Sequence, residues 1–230
     1  MAEYLSKKQA RKAILDIGKR MYKAGFVAAN DGNISVKVGD NEIIATPTGV
    51  SKGFMTKESL VLLDLDGRVI KGDGKPSSEI KMHLRAYKEN PYIKSVVHAH
   101  PLVSTAFGIA GEELNAPILA EAVLSLGNVP VLSYETLGSE KIPEGIAPYY
   151  NSHNGVILAN HGVVTWGDDP YAAYYRLESI EYYAKMSLIT KYIIGNQNML
   201  SKEEVMKLLK MRDKFGIRLG GMPADENKLK

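Results

Sequence analysis

The sequence predicts one α/β domain in which a mixed β-sheet is flanked by helices. Short hairpins of alternating apolar and polar residues fill the first third of the chain. Beyond them, β-branched runs alternate with stretches of helical periodicity. No linker, repeat or low-complexity segment interrupts the 230 residues, a length that one large domain can fill, so the expected domain spans 1–230.

The elements follow in order. Ser6 caps a helix whose apolar positions Ala10, Ala13, Ile14, Ile17 and Met21 share one face, with Gly25 as its stop. Asn33 to Val38 alternates, Gly39-Asp40-Asn41 turns, and Glu42 to Ala45 returns. A loop from Thr46 to Gly53 leads to a second hairpin, Val61 to Leu65 and Arg68 to Ile70 about Asp66-Gly67. A helix is expected from about Ser77 to Asn90, closed by Pro91, and then the strand Ser95-Val96-Val97-His98-Ala99. Helical patterns at Leu102–Gly111, Pro117–Leu126 and Ser139–Tyr150 enclose a strand at Val129–Tyr134. Strands at Val156–Ala159 and Val163–Trp166 precede a long helix, capped by Asp169 with Pro170 at its first position, that runs to Gly195. Ser201-Lys202-Glu203-Glu204 is a capping box, so a last helix reaches about Phe215.

Composition narrows the function. The 29 basic and 26 acidic residues leave +3, too balanced for a nucleic-acid binder. Lys228 and Lys230 carry part of that excess in a tail read as solvated. No apolar run approaches a membrane span and the amino end lacks an apolar signal core, so a cytoplasmic protein is expected, with no membrane partner. The absence of cysteine leaves histidine, carboxylate and water as the available metal ligands.

His98 and His100 lie two apart at a strand end that Pro101 terminates, so their side chains share a face. His161 ends another apolar run, at Asn160-His161-Gly162. Three neutral imidazoles with a fourth position open is the ligand set of a catalytic zinc. A pair of histidines bonded locally is the plainer reading of the first two alone. Asp31-Gly32-Asn33-Ile34-Ser35 and Thr48-Gly49 are polar turns able to offer N–H groups to an anion, or ordinary turns. Pro76-Ser77-Ser78-Glu79 puts two hydroxyls at a helix start, a phosphate site or a simple cap. Glu121 is an acid within the apolar Ile118–Leu126 segment, catalytic or merely solvated. Tyr171, Tyr174, Tyr175, Tyr182 and Tyr183 read as packing or subunit contact.

In this order and spacing, Gly32-Asn33-Ile34-Ser35, Thr46-Pro47-Thr48-Gly49, Pro76-Ser77-Ser78-Glu79, His98-Ala99-His100-Pro101 and Asn160-His161-Gly162 resemble the class II aldolase/adducin family, from about Ser6 to Gly216. The resemblance implies a three-layer α/β/α sandwich with a mainly antiparallel central sheet, assembled as a homotetramer with active sites between subunits. It implies that His98, His100 and His161 bind Zn2+, with Mn2+ or Co2+ as alternatives. Asn33, Thr48, Gly49, Ser77 and Ser78 would hold a substrate phosphate, and Glu79 would be the acid/base.

The activity it implies is aldol cleavage of a ketose 1-phosphate, fuculose 1-phosphate or a shorter deoxy-ketose phosphate, to dihydroxyacetone phosphate and an aldehyde. Alternatives within the family are a pentulose-phosphate 4-epimerase, a methylthioribulose-phosphate dehydratase, a sugar-acid phosphate decarboxylase and a non-catalytic adducin-like module. Glu121 and Phe215 stand where the fuculose-phosphate branch carries tyrosines. A carboxylate at Glu121 is similar to the catalytic acid of the dehydratase branch, which lacks the Ser-Ser-Glu loop.

Overall fold

Ser6 opens the first helix as the sequence predicts. Its hydroxyl accepts from the Gln9 N–H and the Gln9 side chain accepts in return from the Ser6 N–H, which starts α1 (Lys7–Lys23). Ala10, Ile14, Ile17 and Met21 on one stripe of α1 are fully buried, and each of the larger three contributes about 1.5–3 kcal/mol of apolar burial. The computed structural model describes residues 4–217; Lys228 and Lys230 lie outside the described residues.

The strands are β1 (Asn33–Gly39), β2 (Glu42–Ala45), β3 (Val61–Leu63), β4 (Val69–Lys71), β5 (Ser95–Ala99), β6 (Val131–Leu132), β7 (Gly155–Leu158) and β8 (Gly162–Gly167). They form one eight-stranded sheet in the order β4-β3-β2-β1-β5-β8-β7-β6. Every neighbouring pair is antiparallel except β6 with β7. The remaining helices are α2 (Ile80–Glu89), α3 (Leu102–Ala110), α4 (Ala120–Ser125), α5 (Lys141–Ile146), α6 (Pro170–Leu188) and α7 (Lys202–Met211).

Strand alternation sorts the core into two layers. Val97 and Ala99 of β5 join Ile34, Val36 and Val163 against α1, α3 and α6. Val96 faces the other way, with Val164, Trp166 and residues of α2 and α5. The result is the α/β/α sandwich with a mainly antiparallel sheet that the resemblance implies. Tyr174 and Tyr183 of α6 are buried in it, whereas Tyr175 and Tyr182 are exposed.

Several boundaries differ from the sequence expectation, each for a local reason. β3 ends at Leu63 because the Asp64 carboxylate accepts from the N–H groups of Asp66 and Arg68, turning the chain early. β6 is two residues long: Val129 is spent on a bridge to Leu114, and Pro130 has no N–H for the ladder. The long helix keeps α geometry to Leu188 and finishes in a π-helical segment, Ile189–Ile194, that stops at Gly195 with φ +79°. α2 starts at Ile80 rather than Ser77, and that three-residue difference shapes the site.

Candidate active site

β5 lies in the interior of the sheet, fourth from the β6 edge, with β1 and β8 paired on either side of it. Asn33 of β1 lies directly opposite His98, and so does Val164 of β8. His98 is fully buried. Its Nδ1–H donates to the Val163 carbonyl at 2.9 Å, so Nε2 carries the lone pair. His100 follows the strand end, anchored by its N–H to the Phe26 carbonyl, and its Nδ1 lies 3.6 Å from Asp31.

His161 comes from the tight β7–β8 connection. Asn160 adopts φ +55°, a conformation that asparagine tolerates better than most residues. Gly162 is required by space. A Cβ there would stand 2.5 Å from both the Ala99 carbonyl oxygen and His100 Cδ2.

The three imidazoles meet with ring centroids 4.7 to 5.2 Å apart and one ring nitrogen from each within 4.8 Å of the others. Burial pulls the His98 pKa down to about 3 against the opposing pull of Glu79, and burial lowers that of His100 as well. Burial therefore favours the neutral, metal-binding form of His98 and His100. The Nε2 atoms of His98 and His100 face each other at 3.0 Å, and two nitrogens so placed need a shared proton or a shared cation. These residues fit a divalent metal ion with an open coordination position.

Glu79 is not within the first turn of α2. It precedes the helix with φ −84° and ψ 0°, and its side chain makes no cap. Its carboxylate instead turns to the histidines: Oε1 is 2.8 Å from His161 Nε2, and Oε2 is 3.6 Å from His98 Nε2. Asn33 Nδ2 donates to Oε2 at 2.7 Å. Burial alone would raise the Glu79 pKa, but His98, His161 and the Asn33 amide together hold it below the usual carboxylate range.

Two of the residues expected to bind an anion, Asn33 and Ser77, hydrogen-bond to Glu79 itself. Pro47 bridges to Pro76 and the Thr48 N–H donates to the Lys75 carbonyl, laying Thr48-Gly49 beside Ser77-Ser78. Gly49 has φ +75° and open space where a Cβ would be. The Ser77 hydroxyl accepts from the Glu79 N–H at 3.2 Å. Glu121 is elsewhere: it lines a cleft of 450 Å³ with Phe26, Glu178, Glu181 and Lys185, to which none of the three histidines contributes. Phe215 sits on an exposed turn. A second cleft, of 220 Å³, does reach the cluster through His161, with Ser133, Glu135 and Lys141 on its walls.

Three residues near the site escape sequence reasoning. Asp31 backs His100, as above. Lys52 is buried, and its Nζ donates to the carbonyls of Asn30 at 2.8 Å and Val50 at 2.6 Å, tying the turn before β1 to the turn after Gly49. His83 is buried one helical turn beyond Glu79 and contacts Asn33. Asp31 lies in the polar turn Asp31–Ser35 already noted, though its pairing with His100 was not, and His83 left its i, i+4 spacing from Glu79.

The profile of the Class II Aldolase and Adducin N-terminal domain matches residues 12–188, which include Glu79 and all three histidines. The chain belongs to this family. An L-fuculose phosphate aldolase of Methanococcus maripaludis is 36% identical over 182 residues, 79% of this chain and 96% of the relative. A 3-oxo-tetronate 4-phosphate decarboxylase of Haemophilus influenzae is also 36% identical, over 76% of this chain and 85% of its own length. A solved L-fuculose 1-phosphate aldolase superposes with a TM-score of 0.82 at 26% identity, covering 93% of this chain and 98% of that one. Family membership thus accounts for the sandwich and for a histidine cluster able to hold a metal, while the relatives carry two different activities.

Proposed function

We propose that the chain is a divalent-metal-dependent lyase that cleaves a ketose 1-phosphate to dihydroxyacetone phosphate and an aldehyde. The observation that carries this reading is the Glu79 carboxylate, fixed by Asn33 and directed at a cluster of three imidazoles. Zn2+ held by His98, His100 and His161 would supply a Lewis acid for the electrons released as the carbon–carbon bond breaks.

The chain's own residues do the rest. Asn33, Thr48, Gly49, Ser77 and Ser78 bind the phosphate, which fixes the register of the sugar by contacts away from the reacting centre. Glu79 moves the proton at the carbon that gains it on cleavage and loses it on condensation. Asn33 donates to Oε2 and His161 Nε2 lies 2.8 Å from Oε1, so both oxygens of the carboxylate are held in place. Burial of His98 and the low exposure of Glu79 keep bulk water from that carbon. Glu121 and Phe215 enter this reading only across a subunit boundary, in the homotetramer implied by the family resemblance.

The name of the Haemophilus influenzae relative supports a second reading, loss of carbon dioxide from a 3-oxo sugar-acid phosphate. Decarboxylation leaves the same kind of carbanion beside a carbonyl, and Glu79 would protonate it. Ketose 1-phosphates assayed for dihydroxyacetone phosphate, and 3-oxo acid phosphates assayed for carbon dioxide, separate the two. In either assay Glu79→Gln is expected to cost about 10²–10⁴ in kcat with metal content unchanged. Near-wild-type turnover of that variant, or full activity of protein shown to be metal-free, would overturn the mechanism.

A further inference from the structure

Behind Glu79 runs a buried polar chain in which each hydrogen bond has one permitted direction. His83 and Tyr87 of α2 continue the four-residue spacing that starts at Glu79 just before the helix, and Asn33 and Ser35 lie two apart on the facing side of β1. Asn33 Nδ2 donates to Glu79 Oε2 at 2.7 Å, so its Oδ1 points the other way, to His83 Nε2 at 2.6 Å. An amide oxygen only accepts, and His83 Nε2 must therefore carry the proton. Burial lowers the His83 pKa to about 4, against the pull of Glu79, which keeps the ring neutral. His83 Nδ1 then has to accept, and it does so from the Ser35 hydroxyl at 2.8 Å. With that proton used, Ser35 Oγ accepts from the Tyr87 hydroxyl at 2.6 Å. All four supporting side chains are buried, from Asn33 at 5% to Ser35 at 0% exposed.

We propose that His83 is a positioning residue for the acid/base carboxylate. Its Nε2–H sets the orientation of the Asn33 amide, and Ser35 and Tyr87 lock the tautomer that does so. The consequence of losing the lock is specific. If His83 presented a bare Nε2, Asn33 would turn its amide to donate there. Its oxygen would then face the Glu79 carboxylate at 2.7 Å, oxygen against oxygen. The carboxylate would swing away from the reacting carbon while the fold and the imidazole cluster stayed intact. This inference rests on Glu79 being the acid/base, and the experiment keeps the two apart.

His83→Leu removes the donor at similar volume, and His83→Gln keeps an N–H near the Nε2 position. His83→Leu is expected to lower kcat about 10–100-fold, as loss of such a supporting partner typically does, with metal content unchanged; His83→Gln restores most of it. Glu79→Gln runs alongside. If Glu79→Gln is inactive and His83→Leu turns over like wild type, the positioning role is wrong and the Glu79 reading stands. If Glu79→Gln turns over normally, the Glu79 reading itself fails. Equal losses in both His83 variants, matched by equal losses in melting temperature, would reduce His83 to a structural residue and overturn the proposal. Nitrogen-15 spectra of histidine-labelled wild-type protein give a readout independent of turnover and of any variant's folding. The His83 ring is expected as the neutral Nε2–H tautomer, and an Nδ1–H tautomer would overturn the proposal outright.

Discussion

Gly162→Ala is a small change with a large expected effect on the histidine cluster. The added methyl would stand 2.5 Å from the Ala99 carbonyl oxygen and 2.5 Å from His100 Cδ2. Ordinary contact begins near 3.4 Å, so about 0.9 Å must be found on each side. The carbonyl belongs to β5, whose ladder with β8 runs from Ser95 with Gly167 to Ala99 with Val163, and it can give little. The imidazole must move instead. Metal sites tolerate ligand displacements of only about 0.2 Å, so a shift several times larger removes His100 from the donor set. Overpacking of this kind costs roughly 1–3 kcal/mol of stability. The expected outcome is at least a tenfold loss of zinc affinity by competition with a chromophoric chelator, and a modest drop in melting temperature. Wild-type affinity in Gly162→Ala would show that the three rings do not act together as ligands.

Two further outcomes concern buried groups. Burial pulls the Lys52 pKa down to about 8 despite Asp31 and Glu79 nearby, and its ammonium ties the Asn30 and Val50 carbonyls together. Lys52→Met should weaken competitive inhibition by inorganic phosphate roughly tenfold or more, since hydrogen bonds from a charged group contribute about 1.5–3 kcal/mol; an unchanged inhibition constant counts against Lys52 as organiser of the anion site. His83 has a folded pKa of about 4 against an ordinary 6.5, so between those values the unfolded chain binds a proton that the folded chain refuses. Stability should therefore fall as pH drops from about 6.5 to about 4, by up to about 3 kcal/mol, and urea unfolding of His83→Gln should lose that much less than wild type over the same range.

The parts of the site legible in the sequence were those set by local periodicity. The facing of His98 and His100 follows from strand alternation alone, and Pro101 marks where the strand ends. Asn160-His161-Gly162 reads as the end of an apolar run, and the structure makes it the short connection between β7 and β8. The Pro76–Glu79 stretch was legible as a polar helix start, but not the backbone turn that sends Glu79 toward the three histidines instead of capping α2. That turn follows an isolated bridge between Pro47 and Pro76, a contact between residues far apart in sequence. His83, Lys52 and Asp31 acquire their surroundings only when β1 pairs with β5 and the loops close over them. The shortened β6 was hidden for the same reason, because Leu114 competes for Val129 from outside the apparent strand.

The register that sets Asn33 against His98, with β8 on the other side, also orders events during folding. A chain that has formed its early hairpins holds no complete ligand set. Two imidazoles arrive together with β5, but the third must wait for a strand pair drawn from the far half of the molecule. Under the proposed function, ion capture would thus be gated by the most non-local pairing in the sheet. During refolding, the rate at which a metal indicator dye is bleached should follow final closure of the β-sheet rather than the earlier growth of helix signal. The cluster is then a built-in timer, silent until the last long-range contact is made.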